Sequence, residues 1–156
     1  MRYLGIDYGT KRIGIAISDE RGIVAFPHSV IAARRNTDRI DEIFTIIRHE
    51  KIEAIIIGFP VDFAGKERET AARVRVFAER IKKALSVPVF FENELLTTRL
   101  ASKSASRGKS VDASAAALIL QSYLDKKLSE KSASSQNSLI SSEPRTDKGE
   151  AEIREL

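Results

Sequence analysis

A continuous apolar segment, AIIIGFP at residues 54–60, constrains the fold of this 156-residue chain more than any other stretch. Its residues do not alternate between apolar and polar, as they would in a strand with one side in solvent. A run of this kind is typical of a strand that is buried on both faces of a parallel sheet, where helices cover each side. The segment therefore predicts an α/β fold.

Three strands are predicted before this segment, at residues 2–8, 11–18 and 23–31. The links between them are short and polar, which favours antiparallel neighbours joined as a meander. A helix is predicted after residue 36, where Asn-Thr-Asp offers capping groups and apolar residues recur at helical spacing. The apolar residues of this helix are Ile40, Ile43, Phe44 and Ile47.

The pattern after residue 60 predicts a helix from Glu67 to about Leu85, a strand at 87–94, a short helix at 97–106 and a final helix at 111–128. The first of these helices has an apolar side and a basic side. The apolar side consists of Ala71, Val74, Phe77, Ala78, Ile81 and Leu85, and the basic side of Arg68, Arg73, Arg75, Arg80, Lys82 and Lys83. The whole order predicts a mixed five-stranded sheet, with three antiparallel strands and then two parallel ones, flanked by helices.

The segment from Ser129 to Leu156 differs in composition from the rest of the chain. It contains seven serines and few apolar residues, so we expect a tail at 129–156 that is disordered, or at most locally ordered, after one domain at 1–128. The tail carries 4 basic and 6 acidic residues, which leaves 22 basic and 16 acidic groups in the domain. A basic domain suits a polyanionic partner such as nucleic acid, although a solvated basic surface without a partner has the same composition.

The composition also excludes several kinds of site. The chain has no cysteine, which excludes disulfides, thiolate metal sites and a cysteine nucleophile, and which fits a reducing cytoplasm. It has no run of about 18 apolar residues, so no membrane span is expected. Neither a Walker A motif nor a GxGxxG motif occurs in the sequence.

One carboxylate, Asp7, lies in an otherwise apolar predicted strand, YLGIDY. Strand alternation puts Tyr3, Gly5 and Asp7 on one face of the sheet. A charged group there costs free energy unless a hydrogen-bond donor or a cation pairs with it. An aspartate that forms the turn before Tyr-Gly is the alternative interpretation.

Two further carboxylates can reach the same edge of the sheet as Asp7. Glu94 ends the fifth predicted strand, with Glu92 on the same strand face, and Asp112 begins the final helix. Carboxylates that converge need a cation, and oxygen ligands without thiolates favour Mg²⁺ or Mn²⁺. The alternatives are a helix cap for Asp112 and an exposed charge at the strand end for Glu94.

Two glycine-containing turns offer sites for a phosphate. DYGTKRIG at 7–14 and GFPVDFAGKE at 58–67 combine backbone N–H groups with basic side chains. We predict Lys11, Arg12 and Lys66 as contacts to a nucleic-acid backbone, and we expect the helix N-terminus at Glu67 to accept a phosphate. A plain hairpin connection is the alternative for the first turn.

Four segments resemble one known family. GIDYGTKRIGIAISD, IIIGFPVDFAGKE, NELLTT and VDASAAALILQSYLD resemble, in order and register, the motifs of the YqgF family, also called the RuvX-like or pre-16S rRNA nuclease family. The resemblance covers about residues 1–128. It implies an RNase H-like fold, a relationship to Holliday junction resolvases of the RuvC kind, and a role in trimming the 5′ end of precursor 16S rRNA.

The resemblance also implies site residues: the family's three acids correspond to Asp7, Glu94 and Asp112. Asp7 and Asp112 would be metal ligands, and Glu94 a third ligand or the group that orients the attacking water. The family commonly has Asp-Glu-Arg-Leu-Thr-Thr where this chain has Asn93-Glu94-Leu95-Leu-Thr-Thr. Leu95 cannot clamp a phosphate as an arginine can, so we expect metal binding to be kept and substrate contact near Leu95 to be altered.

Several functions remain as hypotheses. The first is a metal-dependent nuclease that acts on structured RNA, with precursor 16S rRNA as its substrate. The second is a resolvase that cuts DNA junctions at the same site, as a monomer or a homodimer, and the third is a non-catalytic RNA-binding factor in ribosome assembly, which Leu95 motivates. Phosphoryl transfer from ATP is a fourth, since Asp-x-Gly-Thr also opens actin-like kinases, but the chain is too short for the second domain of such enzymes.

Overall fold

The computed structural model describes residues 1–32, 36–61, 64, 66, 69–93 and 110–140. Its strands are β1 (Tyr3–Tyr8), β2 (Arg12–Ser18), β3 (Ala25–Ala32), β4 (Ala54–Phe59) and β5 (Val89–Asn93), and its helices are α1 (Asn36–His49), α2 (Ala71–Ala84) and α3 (Ser110–Ile140). This order agrees with the prediction from sequence. The predicted short helix at 97–106 lies outside the described residues.

The five strands form one mixed sheet in the order β3-β2-β1-β4-β5. β2 pairs antiparallel with β1 and β3, whereas β4 pairs parallel with β1 and β5. All six residues of β4 are buried, because helices cover both faces of the sheet at this strand. The predicted mixed five-stranded sheet is therefore confirmed.

The alternation of side chains along β1 decides which residues meet which helices. Leu4 and Ile6 lie in the larger core, together with residues of α1 and α2. Tyr3 lies in a second core against α3, and a Cβ on Gly5 would come 2.7 Å from the Cβ of Leu120 on that helix. Asp7 is the next residue on this face, so it lies on the α3 side of the sheet.

α2 begins at Ala71, four residues after the predicted start at Glu67, which lies outside the described residues. The predicted apolar side is confirmed, since its six residues from Ala71 to Leu85 are all buried. Ala71 is the first of them, and the four residues before it are polar and offer nothing to bury against the sheet. Because packing of an apolar side supplies most of the stability of a helix, α2 starts where that packing starts.

α3 continues through Ile140, twelve residues beyond its predicted end at Leu128, so the predicted end of the helix is wrong and the first part of the expected tail is helical. The serines in this extension donate hydrogen bonds to carbonyls four residues earlier, as Ser129 Oγ does to Asp125 O at 2.9 Å and Ser132 Oγ to Leu128 O at 3.0 Å. Such bonds satisfy the hydroxyls within the helix, at a slight cost to helix stability. Within the described part of the chain, no helix has the length and apolar character that crossing a membrane requires.

Candidate metal centre and nucleic-acid interface

Asp7 lies near the carboxyl end of β1 and is partly buried. It lines a cleft of about 270 Å³ together with the β1–β2 turn (Gly9 and Thr10) and with Thr70 and Arg73 beside the start of α2. The carboxyl ends of β1, β4 and β5 are at the same edge of the sheet because these strands are parallel. Ligands bind at this edge in open α/β sheets.

Asp112 lies in the first turn of α3, two residues after the helix begins at Ser110. Gly14 of β2 fixes its position, because a Cβ on Gly14 would come 1.9 Å from the Asp112 carbonyl oxygen and only a glycine allows this approach. Gly14 is the direct partner of Asp7 in the β1–β2 pair. The sheet and the helix therefore bring Asp7 and Asp112 to the same end of the same face.

Asp112 forms an ion pair with the side chain of Arg12, with 3.0 Å between Asp112 Oδ2 and Arg12 Nε. Apart from this ion pair, the buried Oδ2 accepts no hydrogen bond from the residues that the structure describes. A carboxylate oxygen in this state has capacity for a further ligand. The alternative interpretation of Asp112 as a helix cap does not fit, because a cap residue precedes the first helical residue and Asp112 lies two residues after it. Its negative charge still interacts favourably with the positive N-terminal end of the helix.

The third predicted acid, Glu94, lies outside the described residues; β5 ends at Asn93. Among the described residues, no three histidine, cysteine, aspartate or glutamate side chains form a cluster suited to a metal ion. The metal-ligand roles of Asp7, Glu94 and Asp112 therefore stay predictions.

Glu92, the other acid that the sequence singles out on this strand, forms contacts within the fold. Its side chain is 5% exposed and accepts hydrogen bonds from Ser122 Oγ at 2.9 Å and from Lys126 Nζ, both on α3. These contacts tie β5 to α3. Glu92 therefore faces the helix and supports the packing of the sheet edge.

The predicted nucleic-acid contacts Lys11, Arg12 and Lys66 are exposed. Lys11 and Arg12 come immediately after Gly9 and Thr10 of the β1–β2 turn. The Arg12 side chain is 51% exposed, and it forms the ion pair with Asp112. The predicted phosphate site at a helix N-terminus does not lie at Glu67, because α2 begins at Ala71. The binding roles of the three cations stay predictions.

A buried cation on α1, Arg39, is absent from the sequence prediction. Its side chain is 4% exposed and donates hydrogen bonds from Nη2 to Thr10 O at 2.7 Å and from Nη1 to Gly9 O at 3.4 Å. Arg39 thus holds the turn that follows Asp7. A signal was present in the sequence, since Arg39 precedes Ile43 by four residues and must share its buried side.

Comparisons with known proteins agree with this fold and with the motifs. A family model described as "RuvX: Holliday junction resolvase" matches residues 1–126. A "Putative pre-16S rRNA nuclease" of Syntrophus aciditrophicus is 39% identical over 133 residues, covering 80% of this chain and 89% of the relative. A protein of Anaplasma marginale with the same name is 37% identical over 132 residues, covering 80% and 84%.

Solved structures share the fold at low sequence identity. RuvC of T. thermophilus, solved with a Holliday junction substrate, has a TM-score of 0.55 and 17% identity over 82% of this chain and 96% of RuvC. The Fowlpox virus resolvase, solved with Holliday junction DNA, has a TM-score of 0.52 and 12% identity over 82% and 99%. The RNase H-like fold that the motifs implied is confirmed.

Proposed function

The chain belongs to the RuvX family of Holliday junction resolvases, a family of nucleases, and on that premise we propose that it is a metal-dependent nuclease that hydrolyses phosphodiester bonds in structured RNA. Its substrate is the 5′ region of precursor 16S rRNA, which it trims in the cytoplasm during ribosome maturation. The names of the relatives at 37–39% identity support this choice of substrate.

The observation that carries the proposal is the approach of Asp112 to the strand pair that holds Asp7. Two carboxylates at one end of one face repel each other unless a cation lies between them. The donor set is all oxygen, and within the described part of the chain the buried Asp112 Oδ2 accepts no hydrogen bond, so these residues fit a hard divalent ion such as Mg²⁺ or Mn²⁺. Asp7 and Asp112 would hold the ion, with Glu94 as the third ligand.

When bound, such a cation lowers the pKa of an attacking water and neutralises charge on the phosphate. The chain's own side chains would orient the water and the substrate strand. Glu94 would act as that third ligand or, alternatively, orient the attacking water, and the β1–β2 turn would position Lys11 and Arg12 beside the scissile strand. A cation held by Asp112 would compete with the Arg12–Asp112 ion pair, and Arg12 would then be available to a backbone phosphate.

A DNA-junction resolvase on the same site is the second candidate, favoured by the description of the matching family. Carboxylates and phosphate contacts do not distinguish RNA from DNA, because they do not recognise the 2′-hydroxyl. The two candidate functions therefore share every residue named above. Competition between an unlabelled four-way DNA junction and a labelled precursor 16S RNA fragment separates them. A preference for the junction would overturn the choice of RNA.

The test is cleavage of an end-labelled, 5′-extended 16S precursor fragment with Mg²⁺, Mn²⁺ or EDTA. We expect metal-dependent trimming by the wild type and none by Asp7→Asn, which should still fold and bind RNA. Asp41→Asn, the same change at an exposed residue of α1, is the matched control and should cleave normally. RNA binding without cleavage by the wild type would overturn the nuclease and favour an assembly factor without catalysis.

A further inference from the structure

A second cavity of about 280 Å³ lies between α1 and α2. Three arginines line it, Arg39 from α1 and Arg73 and Arg80 from α2, together with Tyr8 and Phe77. Arg73 and Arg80 are seven residues apart, so they project from the same side of the helix. We call this cavity the arginine pocket.

The arginine pocket concentrates positive charge without internal compensation. Among the residues that the structure describes, none of the three arginines forms an ion pair with a carboxylate. A buried cation that lacks a counter-ion costs several kcal/mol unless an anion joins it, by the general cost of desolvating charge. The pocket is therefore suited to an anion.

Arg39 provides an independent sign of a missing partner. Only 4% of this residue is exposed, and its two Nη groups donate to the carbonyls of Gly9 and Thr10. Its Nε is buried and donates to no atom of the described residues. A guanidinium has five N–H donors in a planar fork that matches the oxygens of a phosphate, and the Nε–H is the buried donor that has no acceptor here.

The arginine pocket is adjacent to the Asp7 cleft. Tyr8 and Arg73 line both cavities, so the two share a wall at the end of β1 and the beginning of α2. A strand with one phosphate at Asp7 can therefore place a neighbouring phosphate in the pocket, where Arg73 is part of the lining. The volume is slightly below the roughly 300 Å³ at which drug-sized ligand sites begin, which suits a small group such as a phosphate.

We propose that the arginine pocket binds a phosphate of the substrate strand, adjacent to the phosphate that is cleaved at Asp7. Arg80 and Arg73 contact this phosphate at the mouth of the pocket, and Arg39 receives it inside while it holds the β1–β2 turn. The inference rests on the proposed nuclease function. The phosphate is either an internal one of the backbone or the 5′-terminal one, and the experiment separates the two sources.

The experiment measures binding of a short 3′-fluorescent single-stranded RNA to the full chain with Asp7→Asn, so that no cleavage occurs. Arg80→Gln is the main variant because Arg80 is exposed and its loss leaves the fold intact. Arg75→Gln is the matched control: Arg75 is on the same helix, but its guanidinium lies 4.7 Å from the Phe59 ring centroid and it does not line the pocket. Anisotropy titrations run between about 50 and 200 mM salt.

We expect Arg80→Gln to weaken binding about tenfold, the scale of one hydrogen bond to a charged group, and to reduce the salt slope by about 0.7. Arg75→Gln should leave the slope unchanged. If 5′-phosphorylated RNA binds more tightly than 5′-hydroxyl RNA and Arg80→Gln removes that preference, the phosphate is the terminal one. If both RNAs lose affinity equally, it is an internal one.

Equal binding by Arg80→Gln and Arg75→Gln would overturn the subsite, and so would an unchanged salt slope. Wild-type cleavage measured in parallel keeps the two proposals apart. Cleavage with no effect of Arg80→Gln leaves the nuclease and removes the subsite. A clear effect of Arg80→Gln on binding, without cleavage by the wild type, leaves the subsite and removes the nuclease.

Discussion

Gly14 of β2 lies directly against the backbone of Asp112, so closely that a Cβ on Gly14 would come 1.9 Å from the Asp112 carbonyl oxygen. Asp7 is the partner of Gly14 across the β1–β2 pair. The absence of one side chain on β2 therefore sets how closely α3 can bring Asp112 to the strand that carries Asp7.

Gly14→Ala should displace the start of α3 and separate the two aspartates. A methyl group forced into a packed site costs about 1–3 kcal/mol of unfolding free energy. We expect cleavage to fall further than this loss of stability explains, since a shift of about 1 Å in a reacting group can cost a hundredfold in rate. Urea unfolding and single-turnover cleavage, at a temperature where the variant is folded, measure the two effects.

Gly5→Ala is the comparison, because its Cβ would meet the middle of the same helix, at 2.7 Å from Leu120 Cβ and 2.9 Å from Ala116 O. It should cost comparable stability and keep more of the cleavage rate. Equal losses of cleavage in the two variants would contradict a specific role of Gly14 in positioning Asp112.

The parts of the fold that the sequence predicts are those in which burial has a local period. The uninterrupted apolar run of β4 and the apolar side of α2 both follow from side chains that face a core. Phe44 shows the limit, since it has helical spacing with Ile40 and Ile47 but is 39% exposed and lies under Arg48 instead. The spacing of apolar residues shows which side of a helix faces the sheet, but it does not show how far around the helix the buried surface extends.

The same distinction between local sequence patterns and packing of distant segments applies to the candidate site. The sequence singles out Asp7 because a charge in an apolar strand is anomalous within its own segment, while the metal-binding role of Asp7 stays a prediction. For Arg39 the spacing to Ile43 indicates only a buried side, because its partners Gly9 and Thr10 are about thirty residues away and only the packing of α1 against the β1–β2 turn joins them. The helix beyond Leu128 was not placed by the sequence, because a serine-rich composition with few apolar residues allows local order but does not show where a helix ends.

Glu92 should be dispensable for cleavage, in contrast to Asp7. Its buried carboxylate is bound by Ser122 and Lys126 of α3, and Glu92→Gln can keep the bond from Ser122. Lys126→Met, in contrast, leaves a buried carboxylate without its cation. We expect a loss of about 1–3 kcal/mol for Lys126→Met, below the range for fully buried pairs because the Lys126 side chain is 55% exposed.

Thermal unfolding and the cleavage assay test both variants. Glu92→Gln should cleave at the wild-type rate wherever it is folded. A Glu92→Gln protein with wild-type stability and no cleavage would contradict the structural role and return Glu92 to the candidate acids.

The β2–β3 hairpin should lose stability in acid through Asp19. Asp19 Oδ1 accepts hydrogen bonds from the backbone N–H groups of Val24 at 3.0 Å and Ile23 at 2.7 Å, and these bonds lower the pKa of Asp19 from its usual 3.8. A carboxylate with a lowered pKa contributes stability that is present above its unfolded pKa and is lost as the pH falls through the folded pKa. Below about pH 4 this contribution should decline.

An NMR titration of the Asp19 carboxyl carbon gives the folded pKa directly, and urea unfolding between about pH 5 and pH 2.5 gives the effect on stability. Asp19→Asn keeps an acceptor oxygen but cannot titrate, so it should show a smaller loss over this range. A titration of Asp19 at or above 3.8 would rule out the effect.

A divalent ion should stabilise the folded chain through Asp7 and Asp112, independently of any cleavage. A ligand that binds only the folded state adds about 2.7 kcal/mol at a hundred times its Kd, so Mn²⁺ should raise the Tm of the wild type relative to EDTA. Asp7→Asn and Asp112→Asn should each lose most of this shift, because each removes one charged ligand. Without metal, Asp112→Asn should cost less than about 1 kcal/mol, since the Arg12 side of its ion pair is half exposed.

Asp41→Asn controls for the general effect of removing one negative charge, and it should keep the full Mn²⁺ shift. Arg12→Gln should have the opposite effect on Mn²⁺ binding. It removes the cation that competes for the Asp112 carboxylate, so the same Tm shift should appear at a lower Mn²⁺ concentration. An unchanged shift in Asp7→Asn and Asp112→Asn would mean that Mn²⁺ binds elsewhere. An Arg12→Gln protein that needs more Mn²⁺ than the wild type would mean that Arg12 supports the metal site rather than competing for it.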